Sequence, residues 1–419
     1  MRISFLIIIL ISRLAAAGQV SVDAGFENGF ADLISIKGDT VSIAPDASTH
    51  FRITNALDKK IVFHSGTEPS ELFHNSHRMV FRCEADEEWR FMDTGFVAAS
   101  GAYYCYNHAP FRSDTVWIAY WYPYSYGDMS GYFRSLKGHP HISHAGEAGI
   151  SLNGRKIYTY TMAAPGPGYK RKHIVITGRQ HAGEPISSYV VKGFTDYLLE
   201  SGDEEAEWLR QNAFVHVYPM VNPDGVASGG NSDGQPDHND AWLRGWPAAG
   251  GAHSGNFETD QLRNHIAAAT DGKVDYAFDI HALPGHSGKY FWWGPSSGSD
   301  TAGVLQAMDL VQAVSSVDGA DHSGHPVIEG TIRYDTRELP GPWADHWFDE
   351  TLGAVSFTLE AGSAPSVLTT GRIEALGASI AKGLGRVLSG CETNDGRILL
   401  SNSQTTEDLQ MSGKKGKDR

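Results

Sequence analysis

The chain has 419 residues, 41% apolar and 20% charged, the balance of a soluble globular protein with room for two domains. A net charge of −15 argues against a nucleic-acid partner, which needs a basic face. Three cysteines without a Cys-x-x-Cys pair argue against a thiolate zinc site.

Residues 1–17 read as a secretory signal peptide. Arg2 supplies a positive charge, 3–11 form a short apolar run, and Ala15-Ala16-Ala17 offers an Ala-x-Ala cleavage site, although Arg13 interrupts the pattern. The run is too short for a stable membrane span, and no later stretch reaches that length. The expected product begins at Gly18 and is secreted or periplasmic.

Residues 18–125 carry short β-type segments at 41–43, 60–63, 78–81, 102–106 and 115–120, separated by turn residues. That spacing predicts an antiparallel β-sandwich domain. Cys83 and Cys105 fall inside it, either as a disulfide or as buried thiols. The aromatic run from Trp121 to Tyr126 reads as an interdomain core. A short helix is expected at 127–136, then a polar connector at 138–154.

From residue 156 strands alternate with helices, the pattern of an α/β/α domain (126–390) with a mixed, mainly parallel sheet. Strands are expected at 157–162, 173–177, 214–220, 276–280, 290–294 and 354–360. Helices are expected at 186–200, 204–212, 260–269, 302–315, 341–349 and 371–388. Residues 391–419 are polar and read as a disordered tail.

The chemistry concentrates where strands end. His181 and Glu184 lie in the turn between the 173–177 strand and the 186–200 helix, the edge where open α/β sheets place ligands. Imidazole nitrogen and carboxylate oxygen are both zinc donors. His281, after Asp279, ends another strand and completes a two-His, one-Glu set for one Zn2+ ion, leaving a position for water. Asp279 is the candidate carboxylate behind a metal-binding histidine. Glu360, ending the 354–360 strand, is placed to move a proton between water and a leaving amine. Asn222-Pro223-Asp224-Gly225 reads as a turn.

In this order the motifs resemble the zinc metallocarboxypeptidases of the carboxypeptidase A family, most of all the cytosolic carboxypeptidase subfamily and its bacterial relatives. The motifs are His181-x-x-Glu184, then Asn222-Pro223-Asp224-Gly225, then Asp279-x-His281, then Thr358-Leu359-Glu360. Phe26-Glu27-Asn28-Gly29 and the 122–126 run extend the likeness into the amino half, so that it covers about 22–385. The resemblance implies zinc on His181, Glu184 and His281, Glu360 as general base and acid, a β-sandwich before the catalytic domain, and peptide or protein substrates trimmed at the C-terminus.

One stretch departs from the pattern. Relatives carry Gly-Asn-x-Arg and Asp-Leu-Asn-Arg-x-Trp, whose arginines polarise the scissile carbonyl and, with the asparagine, grip the substrate carboxylate. Here Asp233 and Asp240 replace them, while Asp237, Asn239 and Trp242 keep their places. An aspartate repels the carboxylate that an arginine fork would hold. Three outcomes stay open. Arg244, Arg333 or Arg337 substitutes, with Tyr334 as a phenol donor; or the substrate lacks a free carboxylate there, making an amidohydrolase or a peptidase with basic preference; or the site binds metal and turns over weakly. A rival class rests on Gly294-x-Ser296-x-Gly298, but the helix expected after it starts at a Ser299-Asp300 cap, too late for a nucleophile elbow. A non-catalytic binding module is the other alternative. The sequence does not fix the oligomeric state.

Overall fold

The computed structural model describes residues 18–44, 46–65, 77–166, 171–230, 236–243, 247–248, 251–252, 255–282, 291–294, 306–307, 309–314, 333–336, 341–361 and 369–390. The expected signal peptide and tail, the third cysteine Cys391, and Asp233, Arg244, Ser296 and Arg337 lie outside them.

The amino half folds into two five-stranded sheets. Strands such as His50–Thr54 and Thr40–Ile43 bury alternate side chains, as period-two geometry requires of a sheet covered on one face. Phe51 from one sheet and Phe63 from the other meet across the core with ring centroids 5.9 Å apart. Pairing is antiparallel except between Thr40–Ile43 and Val62–His64, which run parallel. Cys83 and Cys105 sit in different sheets as buried free thiols.

The carboxyl half is built on an eight-stranded sheet. Its centre is four parallel strands in the order Ala213–Tyr218, Lys172–Gly178, Tyr276–His281, Val355–Glu360. Their apolar runs are buried on both faces. Ile174 and Ile176 pack toward helices Pro185–Glu200, Glu204–Asn212 and Thr370–Ser389. Val175 faces the other way, toward Phe257–Ala269 and Ala344–Leu352. A β-carbon at Gly193 would lie 1.9 Å from the Glu374 carbonyl oxygen, so only glycine lets the first and last of these helices approach so closely.

Three segments differ from expectation. The 138–154 connector contains a strand, Ile142–Ile150, at the sheet edge. It was hidden because an edge strand can stay polar, and its ladder is broken by two register shifts. Residues 222–225 do not form a plain turn but start the helix Pro223–Ser228, with Asn222 capping Gly225 N at 2.7 Å and proline in the first turn. The segment before Glu360 also carries a strand, Arg333–Thr336, at the opposite sheet edge.

Candidate metal centre

The four parallel strands point their C-terminal ends to one edge, and the register there sets the site. Thr177 pairs with Asp279, Asp279 with Thr358, and His281 with Glu360. After Gly178 the chain turns through Arg179, which has φ +59, a left-handed value costly for a residue with a β-carbon. Its fully buried guanidinium holds that geometry. It donates to the Ala182 carbonyl at 3.0 and 2.9 Å, to Ser188 Oγ at 3.0 Å and to the Tyr124 carbonyl, at the domain junction, at 3.1 Å. His181 and Glu184 are thereby carried over the strand ends, with Glu184 just before the helix that starts at Pro185.

His181, Glu184 and His281 converge, one ligand atom from each lying within 4.8 Å of the others. His181 Nδ1 is 2.9 Å from Glu184 Oε1, His281 Nδ1 is 3.2 Å from Glu184 Oε2, and the two Nδ1 atoms are 3.2 Å apart. The far nitrogen of each ring is spoken for. His281 Nε2 is 2.7 Å from Asp279 Oδ2, and His181 Nε2 is 3.2 Å from Asp237 Oδ1. A carboxylate only accepts, so each Nε2 carries a proton, and with a cation at the centre each ring would be neutral and turn its Nδ1 lone pair inward. Two lone pairs and a carboxylate aimed at one point repel unless a positive charge sits between them. Donors about 2.0 Å from a tetrahedral zinc ion lie about 3.3 Å from one another. The two imidazole nitrogens stand at about that spacing, each beside its own oxygen of Glu184, and the donor set suits zinc.

Without a cation from outside, the positive charge comes from protons on the rings. Burial lowers the His181 pKa, but Glu184 and Asp237 outweigh it and lift the group to about 10. His281 is likewise raised well above its ordinary value by Asp279 and Glu184, against burial. Burial pushes Glu184 up, yet the two imidazoles hold it well below the usual carboxylate range. The cluster therefore favours positive charge at its centre.

Asp279 is fully buried and saturated, accepting from Thr177 Oγ1 at 2.8 Å and from Gln180 Nε2 at 2.6 Å besides His281. Gln180, absent from the sequence reading, is the hub. Its oxygen accepts from Trp242 Nε1 at 2.8 Å, and its nitrogen reaches Asn239 Oδ1 at 3.4 Å. Asn239 thus joins the cluster through Gln180, and its Oδ1 also accepts from Ala344 N at 3.3 Å. Asp240 follows it, half-buried, in the short turn Asn239–Ala241. Asp237 was noted only for keeping its place; its contact with His181 depends on a loop that no local pattern predicts. Tyr334 lies in the edge strand, separated from the Glu360 strand by Phe291–Gly294.

Glu360 stands beside His281, and its Oε2 is buried with no hydrogen-bond partner among the described residues. Burial first, then the charge of Glu184, push its pKa up to about 7, against the pull of His281 and His181. A carboxyl near neutrality can both take and give a proton.

Comparison with known proteins follows the same lines. The zinc carboxypeptidase family profile matches residues 129–281. Human cytosolic carboxypeptidase 2 is 32% identical over 197 residues, 44% of this chain and 22% of that protein. Mouse cytosolic carboxypeptidase 6 is 33% identical over 178 residues, 41% of this chain and 32% of that protein. The matched segment thus spans about a fifth to a third of these relatives. Among solved structures, a metallo-carboxypeptidase from Burkholderia cenocepacia superposes with a TM-score of 0.73 at 20% identity, over 89% of this chain and all of that one. A metallo-carboxypeptidase from Pseudomonas aeruginosa, bound to (2-guanidinoethylmercapto)succinic acid, gives 0.70 at 19% identity over 88% and 99%. At such identities these two speak for the shared fold.

Proposed function

We propose that the chain is a zinc-dependent metallocarboxypeptidase, with Glu360 as its general base and acid; the match of residues 129–281 to the zinc carboxypeptidase profile supports this reading. The observation that carries this reading is the convergence of two inward Nδ1 atoms and Glu184 beside Glu360 Oε2, which has no hydrogen-bond partner among the described residues.

His181, Glu184 and His281 hold one zinc ion. When bound, zinc supplies a Lewis acid that lowers the pKa of a water molecule and polarises the scissile carbonyl. The chain's own groups do the rest. Asp279 and Asp237 fix the tautomers of the two histidines, and Gln180 holds Asp279 and Asn239 in one network. Glu360 Oε2 takes a proton from the attacking water and delivers it to the departing amine. The substrate is a peptide or protein. We further propose export directed by residues 1–17; an amino-terminal sequence beginning at Met1 in the protein recovered from its host would overturn that.

The test is hydrolysis by zinc-loaded protein of a peptide library, each member in free-acid and C-terminally amidated form. Trimming of the free acids alone supports a carboxypeptidase with a carboxylate anchor, and Arg244, Arg333 and Arg337 become the variants to make. Cleavage of both sets favours the amidohydrolase reading, in which Asp240, beside Asn239, has no carboxylate to repel. Zinc bound with cleavage of neither set removes the hydrolase reading.

A further inference from the structure

Between the sandwich and the helices of the carboxyl half lies a cavity of about 520 Å3 that includes none of His181, Glu184, His281 or Glu360 in its wall. That size is within the range of small-molecule sites. One wall is the outer face of a sandwich sheet. Strands Val80–Cys83 and Val116–Ala119 pair there with Arg82 opposite Trp117. The outer face of such a sheet ordinarily meets water; here the start of helix Tyr126–Leu136 and the first turns of Pro185–Glu200 stand over it, contributing Asp128 and Tyr189.

The Arg82 guanidinium carbon lies 5.1 Å from the Trp117 ring centroid and 5.5 Å from that of Trp89, so two indoles hold the cation in place. Its Nε is buried without a hydrogen-bond partner among the described residues. His50 faces the same space. Its Nδ1 is 2.9 Å from the Asn28 carbonyl oxygen, which can only accept, so Nδ1 carries the proton. Burial keeps the ring neutral, lowering its pKa to about 4, with Arg82 acting in the same direction and Asp128 against it. His50 Nε2 is therefore a bare acceptor, and it too is buried and unpartnered among the described residues. The remaining polar groups of the wall are largely committed. Tyr189 donates to the Pro123 carbonyl, Lys192 pairs with Asp196 and Glu374, and Glu27 accepts from Gly127 N. Asp128 accepts from Ser125 through Oδ2 and contributes negative charge near His50.

Such a wall offers a fixed cation with an unused donor, a neutral acceptor, an acid and aromatic surface. The matching ligand has a carboxylate, an adjacent charged N–H donor and a side chain. We propose that this cavity is a second binding site, for a free α-amino acid, with Arg82 taking the carboxylate, His50 Nε2 and Asp128 taking the ammonium group, and the aromatic wall taking the side chain. Amino acids are what the proposed hydrolysis releases, so the site would sense product. That meaning rests on the proposed function; the binding does not.

Calorimetric titration of the zinc-loaded full chain with L-phenylalanine, L-lysine and L-glutamate tests it, with the N-acetyl and amide forms of each as arms. At least one free amino acid should bind, and both blocked forms should bind about tenfold more weakly or worse, because each loses one charge-assisted contact. Arg82→Gln should weaken binding by a similar factor and leave peptide hydrolysis unchanged, which places the ligand away from the metal. Arg82→Lys, which keeps the cation between the indoles, is the variant to use if Arg82→Gln melts early, and should fall between the two. Absence of heat with all three amino acids, or equal affinity in a folded Arg82 variant, overturns the proposal. Arg82-dependent binding in a protein that cleaves no peptide would leave this site standing and remove the hydrolase reading instead.

Discussion

The two halves of the molecule treat polar side chains in opposite ways. In the sandwich strand His50–Thr54, Arg52 and Thr54 alternate with buried Phe51 and Ile53, and they meet Asp23 and Ser21 in half-exposed contacts. In the centre of the eight-stranded sheet both faces are dry. There Thr177, Asp279, His281, Thr358 and Glu360 are buried in strands that otherwise read as apolar runs. A polar group in a singly covered strand is ordinary; in a doubly covered strand it must be hydrogen-bonded, charged against a partner, or in use. All five lie toward the C-terminal ends of their strands, where the helices leave an edge open to ligand.

The contrast breaks most visibly at Glu360. Glu360→Gln should retain zinc and lower hydrolysis by about 10² to 10⁴, the usual weight of a general acid–base group. Metal analysis alongside turnover checks it, and undiminished turnover would remove Glu360 from the mechanism. Next is Asp279→Ala, which frees the His281 tautomer and should weaken zinc about 10- to 100-fold, read by competition with a chelator. A matched pair then puts the same chemical change in both sheets. Thr177→Val strips a donor from buried Asp279 and should destabilise by about 1–3 kcal/mol. Thr54→Val loses a hydrogen bond to Ser21 between exposed partners and should stay within about 0.5 kcal/mol. Equal values in denaturant unfolding would erase the distinction.

The remaining effect is a slope with pH. His216, in the strand Ala213–Tyr218, is lowered to about 3 by burial first, then by the charges of His173, His265 and His144. Its folded pKa lies below its unfolded one, so the unfolded chain binds the extra proton. Stability is full above about pH 6.5 and falls as pH drops toward 3, by about 1.4 kcal/mol per pH unit for this one group. His216→Asn should flatten the profile by that amount between pH 6 and 4. Urea midpoints across that range decide it; an unchanged slope would mean that the acid sensitivity lies elsewhere.

What could be read in the sequence follows the same division. The central strands were visible because double burial writes an unbroken apolar run, and His181, Glu184, His281 and Glu360 stood out as polar breaks beside those runs. The edge strand Ile142–Ile150 was not visible, since a strand with no fully buried side chain and two register shifts leaves no apolar run. The helix after Asn222 was misread because proline and asparagine serve turns and helix starts alike. Gln180 and Asp237 could not be found at all. Each acts on a residue 56 to 101 positions away, and only the strand order brings those partners together.

Arg179 has a consequence for how the two halves live together. One side chain ties the carbonyl of Tyr124, at the end of the sandwich, to the turn that presents His181. A metal ion that fixes the turn therefore also fastens the junction, and linkage makes the effect mutual. The sandwich would thereby help retain a bound metal. Loss of a bound metal would then be felt at the seam as well as at the site, through the Arg179–Tyr124 hydrogen bond.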